Sequence, residues 1–270
     1  MSSGKRCLVT GSRGRLGTVL TALLGERAAG EDMPELDITN RDSVERSLLR
    51  WDPEWILNCA AMTDVDACQE RPVDAFRVNS DGVALLAASG RRLLTLSTDH
   101  VFGGASSPRT PIPESAEPFP VNVYGESKLA GEREALSRPG NIVVRTSWLF
   151  DDRSGIVPFL WRSLKEGGRV TAVSDQEASL TYAPDLAALI VHLMDIGAEG
   201  VFHGVNPGGT TPFRLALELS LSAGGAVTES KWDDLGLKAP RPRYSVLGSV
   251  RGVEMPSSSD ALDRWRRRNG

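Results

Sequence analysis

The segment Cys7-Leu8-Val9-Thr10-Gly11-Ser12-Arg13-Gly14-Arg15-Leu16-Gly17 constrains the fold more than any other stretch. An apolar run of strand length passes directly into glycines spaced as TGxxGxxG, and a helix-period pattern, RLGTVLTALLGERA, follows at once. Gly11 permits a tight turn, Gly14 lets the backbone approach a pyrophosphate, and Gly17 allows a helix to pack closely on a sheet. The free N–H groups at the helix start then face an anion. Between a strand and a helix, the pattern reads as a dinucleotide-binding turn, Gly11 to Gly17, with Ser12, Arg13, Arg15 and Leu16 between the glycines. Arg13 and Arg15 could pair with a 2′-phosphate. Asp32, near the end of a poorly written second strand (ERAAGEDMPEL), could instead hold a free ribose diol. The reading favours NADPH and leaves NADH open.

Further along, CLVTG, WILNCAA, RLLTLST and NIVVRTSW alternate with helical patterns, including VDAFRVNSDGVALLAAS, YGESKLAGEREAL and PFLWRSLKEG. Short apolar runs without strict alternation suit strands covered on both faces, and helices between them imply βαβ units. The expected fold class is α/β, a Rossmann-type doubly wound parallel sheet with a smaller, irregular C-terminal lobe. Residues 1–149 would form the NAD(P)-binding domain, with part of 176–200 returning to it, and 150–270 mainly a substrate lobe.

The formal net charge of -4 argues against a general nucleic-acid binder. The basic ending RWRRRNG reads as a solvated helix end. The longest apolar run, LAALIVHLM, is about half a membrane span. Cys7, Cys59 and Cys68 show no CxxC spacing and read as reduced structural thiols. With no leader-like stretch at the start, the expectation is a soluble cytoplasmic protein that meets neither membrane nor nucleic acid.

Two segments carry candidate chemistry. LSTDHVF (96–102) ends a strand in hydroxyls, a carboxylate and His100, one of three histidines. Downstream, Tyr124 and Lys128 lie four residues apart and share a helical face. A phenol with a pKa near 10 is a poor proton exchanger at neutral pH, and an ammonium beside it would lower that value. YxxxK alone is common by chance. Its weight comes from the order TGxxGxxG, a strand ending in Ser97-Thr98, then YxxxK.

With these blocks in place, the chain resembles an extended short-chain dehydrogenase/reductase, and within that group the dTDP-4-dehydrorhamnose reductase family. The similarity rests on TGSRGRLG (10–17), LDITN (36–40), LNCAAMTDVDACQ (57–69), RVN (77–79), LSTDHVF (96–102), NVYGESKLAGE (122–132), RTSWLF (145–150), SDQ (174–176) and RPRYS (241–245). It implies that Thr98 hydrogen-bonds a sugar carbonyl, Tyr124 protonates the developing alkoxide, and Lys128 binds the nicotinamide ribose and tunes Tyr124. Hydride would pass to C4 of a nucleotide-linked 4-keto-6-deoxy sugar. Asp37 and Ile38 would flank the adenine, and Ala60, Ala61, Thr63 and Asn79 would line the cofactor channel. His100, Val101, Phe102, Trp148, Gln176 and Arg241 would meet the substrate. No metal is expected, and a homodimer is left open.

The chain departs from that family where His100 replaces Tyr, Ala67 replaces Lys, Glu177 follows the DQ pair, and Tyr244 replaces Asn. These changes spare the reductive centre and are expected to border the sugar, so a reductase for an antibiotic sugar, such as a dTDP-dihydrostreptose synthase, is an alternative. Two rivals stand beside it: a nucleotide-sugar epimerase or dehydratase, and a non-catalytic NADP-binding regulatory subunit. His100 in place of Glu argues against dehydration.

Overall fold

The computed structural model describes residues 6–103 and 110–270. The first five residues, where the expectation of no leader began, lie outside that range. In chain order, β1 (Cys7–Thr10), α1 (Arg15–Leu24), β2 (Ala28–Glu31), α2 (Arg41–Trp51) and β3 (Trp55–Asn58) open the molecule. α3 (Val65–Glu70), α4 (Pro72–Phe76), a π turn (Arg77–Asp81) and α5 (Gly82–Ala88) lead to β4 (Arg92–Thr98). α6 (Val123–Leu136), β5 (Ile142–Thr146), β6 (Leu149–Phe150), α7 (Ile156–Lys165), β7 (Arg169–Val173) and β8 (Glu177–Tyr182) follow. α8 (Ala183–Asp195), β9 (Gly200–His203), β10 (Asn206–Thr210), α9 (Pro212–Ala223), β11 (Ala226–Ser230), β12 (Tyr244–Ser245) and α10 (Ser258–Asn269) complete it.

The first sheet runs β2-β1-β3-β4-β5-β9 and is parallel throughout. Leu8, Ile56, Leu93 and Val143 pack against α5 residues Val83 and Leu86 on one face. Their neighbours Val9, Leu57, Leu94 and Val144 pack with Leu20 of α1 and Ile190 of α8 on the other. Burial on both faces explains why these strands read as continuous apolar runs. The order reverses between β1 and β3, which opens a crevice beyond their C-terminal ends. There Gly11 has φ +62° and sits so close to the next strand that a Cβ would lie 2.7 Å from the Ala60 nitrogen. Gly17 is equally pressed, with a Cβ position 2.2 Å from the Gly11 oxygen.

The second lobe contains the sheet β10-β8-β12, with β6 also on β8, and the pair β11-β7. Its core gathers Phe150, Trp161, Tyr182, Leu215 and Trp265. The basic C-terminus is a helix end with residues 267–270 exposed, but its start is packed: Trp265 is buried in that core, and Arg264 bonds Asp185 bidentately at 2.7 Å. Arg266 reaches Glu218 at 2.8 Å, so carboxylates of this chain neutralise much of the charge. Among the described residues, no helix is long and apolar enough to cross a membrane.

One buried ion pair joins α6 to the sheet. Glu132 receives Arg145 bidentately at 2.8 and 2.7 Å and also accepts from Ser97 of β4. Both charged side chains are at most 4% exposed. Removing one partner of such a pair strands the other charge away from water. Glu132→Ala is therefore expected to lower stability by about 3–5 kcal/mol, read as a shift of the urea unfolding midpoint.

Candidate active site

A cavity of about 1170 Å³ lies over the C-terminal ends of β1, β3, β4 and β5 and reaches under the second lobe. Arg13, Gly14, Arg15, Leu16 and Gly17 line one end. α1 begins at Arg15 with Gly14 as N-cap and no side-chain cap, so the first-turn N–H groups remain available to an anion. The glycine cradle at Gly11 and Gly17 leaves no room for side chains behind it. The chain's own residues thus fit a dinucleotide pyrophosphate.

Arg13 and Asp32 meet beside the glycine turn. Asp32 directly follows β2 and accepts from the Arg13 backbone N–H at 3.0 Å. The Arg13 guanidinium donates to the Met33 carbonyl at 2.9 Å and pairs with Glu35 at 2.7 Å. Arg15 turns away to the second lobe, where its Nε donates to Ser154 Oγ at 2.9 Å.

Toward the middle of the cavity, Ala61, Thr63, Thr98, His100, Tyr124, Lys128 and Trp148 meet. β4 delivers Thr98 at its last residue, and α6 delivers Tyr124 and Lys128 from its first two turns. Asn122 caps that helix by accepting from the Gly125 N–H at 2.8 Å. The backbones approach tightly here: a Cβ on Gly125 would lie 2.2 Å from the His100 oxygen. Trp148 has φ +32°, a left-handed conformation that a bulky residue adopts only under strain. It stands where the chain leaves β5 for the second lobe.

Other expected residues are not part of the cavity wall. Val101 and Phe102 sink into an apolar cluster with Ile112, Val205 and Tyr244, because apolar side chains after the strand end are better removed from water. Ile38 packs in the core against Gly82, and Asp37 closes a local turn by accepting from Thr39 N and Oγ1. Asn79 cross-links the Met62 backbone to Ser127 Oγ, with bonds of 2.9 to 3.0 Å. Gly11, Ser12 and Ala60 lie behind the turn, with Ser12 N–H bonded to Glu31 O. Gln176 is buried outside the wall, and Arg241 is taken up by Asp66 at 2.6 Å. Of the four departures from the family pattern, His100 alone lines the cavity. Tyr244 is core, Glu177 faces Arg214 at 3.6 Å, and Ala67 lies on α3 with its N–H on the Asp64 cap. Sequence patterns missed Cys59, Asp99, Ser147 and the 151–154 loop, all of which line the cavity. That loop carries no repeating chemistry that would have marked it.

Burial dominates the electrostatics. It pushes the Tyr124 phenol above its ordinary value, opposed by a hydrogen bond from the Thr98 side chain and reinforced by Asp99 and Cys68. The expected lowering by Lys128 does not appear in this structure, where desolvation decides the direction. The phenol is protonated at neutral pH, which is the form a proton donor needs. Burial also lowers the Lys128 ammonium to about 8, against the opposing influence of Glu132, Cys59 and Cys68. Desolvation raises the Cys59 thiol to about 12, so it is an inert wall.

A dinucleotide cradle, a strand-end threonine and a Tyr–Lys pair on one helix define a Rossmann-fold oxidoreductase of the short-chain dehydrogenase/reductase class. The family model for the RmlD substrate binding domain matches residues 5–266, and the chain belongs to the dTDP-4-dehydrorhamnose reductase family. It is 36% identical to a dTDP-4-dehydrorhamnose reductase of Mycolicibacterium smegmatis, over 97% of this chain and 83% of the relative. It is 39% identical to a dTDP-4-keto-6-deoxy-D-glucose reductase of Streptomyces niveus, over 90% of this chain and 88% of the relative. The crystal structure of dTDP-4-dehydrorhamnose reductase from Bacillus anthracis in complex with NADP superposes with a TM-score of 0.91 at 31% identity, covering 98% and 99% of the two chains.

Lys128 is expected to titrate near pH 8, charged below and neutral above. Because Glu132 favours the cation, Glu132→Gln should move that titration to lower pH. The ε-carbon shift of labelled Lys128, followed by NMR across the pH range, checks both.

Proposed function

We propose that the protein is an NADPH-dependent reductase of a dTDP-linked 4-keto-6-deoxy sugar. The observation that carries this reading is Tyr124 and Lys128 beside Thr98 in one cavity with the glycine cradle. The similarity to NADP-bound and dTDP-sugar-reducing relatives supports the cofactor and substrate. Cys7, Cys59 and Cys68 are thiols rather than disulfides, which fits a reducing compartment such as the cytoplasm.

When bound, the cofactor supplies a hydride to the carbonyl carbon. Thr98 donates a hydrogen bond to the carbonyl oxygen, and Tyr124 Oη transfers its proton to that oxygen as it gains charge. A phenol is a far stronger acid than the product alcohol, so the transfer is downhill even with the phenol raised by burial. Lys128, cationic below about pH 8, holds the nicotinamide ribose and stabilises the phenolate that remains. Trp148 and His100 wall the sugar, and the second lobe excludes water from the reacting atoms.

Relatives from Streptomyces support the alternative of a specialised antibiotic sugar, and the cavity-facing His100 marks where the sugar would differ. Purified protein should oxidise NADPH stoichiometrically with a dTDP-4-keto-6-deoxyhexose, and NMR of the product names the new stereocentre. Tyr124→Phe should lose about 10²–10⁴-fold in kcat while NADPH binding, read by cofactor fluorescence, persists. Binding without turnover by the unmodified protein would instead support a regulatory subunit.

A further inference from the structure

His100 lines the cavity, yet its ring is held from behind by Asn122, to which the sequence assigned no role. Asn122 is 2% exposed and uses every polar atom of its amide. Its Oδ1 accepts from the Gly125 N–H at 2.8 Å, and its Nδ2 donates to the Pro240 carbonyl at 2.8 Å. The same Nδ2 lies 3.0 Å from His100 Nδ1. The two backbone partners fix the amide's orientation: a flip would set oxygen against the Pro240 oxygen and NH₂ against the Gly125 N–H. An N–H therefore faces His100 Nδ1, which must present its lone pair. The imidazole proton then resides on Nε2, which has no partner among the described residues.

The surroundings agree with a neutral ring. Desolvation lowers the His100 pKa, and Arg241 from the second lobe acts the same way. Asp99 and, more weakly, the contact with Asn122 act the other way without outweighing burial, and Tyr124 meets the ring edge-on at 5.4 Å and 73°. The His100 N–H is anchored to Thr98 Oγ1 at 3.2 Å, so ring and carbonyl-binding hydroxyl move together.

We propose that Asn122 is a positioning residue that holds His100 as the neutral Nε2–H tautomer, a fixed donor aimed at an oxygen of the sugar in the cavity. This rests on the reductase reading above. In this form His100 does not relay protons; it selects sugars that carry an acceptor within its reach. Because the same amide also caps α6 and grips Pro240, the donor's placement is tied to Tyr124 and to closure of the second lobe.

Asn122→Asp is the informative variant, since aspartate caps a helix as well and has the same shape. It replaces the N–H facing Nδ1 with an acceptor, which favours a proton there. In ¹⁵N-imidazole spectra of the full chain, assigned by loss of the signal in His100→Phe, unmodified His100 should appear as Nε2–H and not titrate between about pH 6 and 8. In Asn122→Asp it should gain a proton on Nδ1 and titrate in that range. The KM for the dTDP-sugar should rise about tenfold in both variants, with a smaller change in kcat. His100→Gln, which keeps a donor, should recover part of the loss seen in His100→Phe. An Nδ1–H or imidazolium His100 in the unmodified protein overturns the proposal, as does an unmoved tautomer in Asn122→Asp or an unchanged KM in His100→Phe. Absence of turnover in the unmodified protein would instead refute the reductase reading, and the spectra would still test the tautomer.

Discussion

A carboxylate and a guanidinium removed from water hold α6 to the sheet. Glu132 on α6 meets Arg145 on β5 and Ser97 on β4, so three elements share one buried charge network. Tyr124, Lys128 and Glu132 are successive i,i+4 positions on one helix face. Anchoring the last of them therefore sets the other two above the end of β4, where Thr98 lies. The arrangement is costly to break from either side, because each ion depends on the other for solvation.

The second lobe is attached around that centre by the apolar cluster of Val101, Phe102 and Tyr244 and by polar contacts beside it. Ser245 donates to Asp99 beside Thr98, Arg241 pairs with Asp66, Arg15 reaches Ser154, and Asn122 reaches Pro240. Several of these contacts are buried, with Ser245, Asp99 and Asn122 shielded from water, so they fix the lobe's position as firmly as the apolar cluster does. Strain at Trp148, where the chain crosses between the lobes, belongs to the same region.

Much of this was legible in the sequence. The four apolar runs became β1, β3, β4 and β5, and the TGxxGxxG turn, Thr98, Tyr124 and Lys128 converge on one cavity. The weakly written second strand formed as Ala28–Glu31, supported by parallel pairing with β1 rather than by its own propensity. Val101, Phe102 and Ile38 show the opposite outcome. Each belongs to a block shared with the reductase family, yet packing turned each into core. A motif says that a residue is near a site, whereas burial of its neighbours decides which way its side chain points.

The sequence by itself determined the fold class, the glycine turn and the three side chains Thr98, Tyr124 and Lys128 that meet in the cavity. Each depends on local periodicity: two or 3.6 residues for strands and helices, three for the glycines, four for Tyr124 and Lys128. Tertiary structure alone decided the protonation and placement of those groups. The burial that raises the Tyr124 phenol and lowers the Lys128 ammonium comes from elements packed around α6. The tautomer of His100 depends on a carbonyl 118 positions beyond Asn122, and such pairings leave no local pattern because only the folded chain brings their partners together.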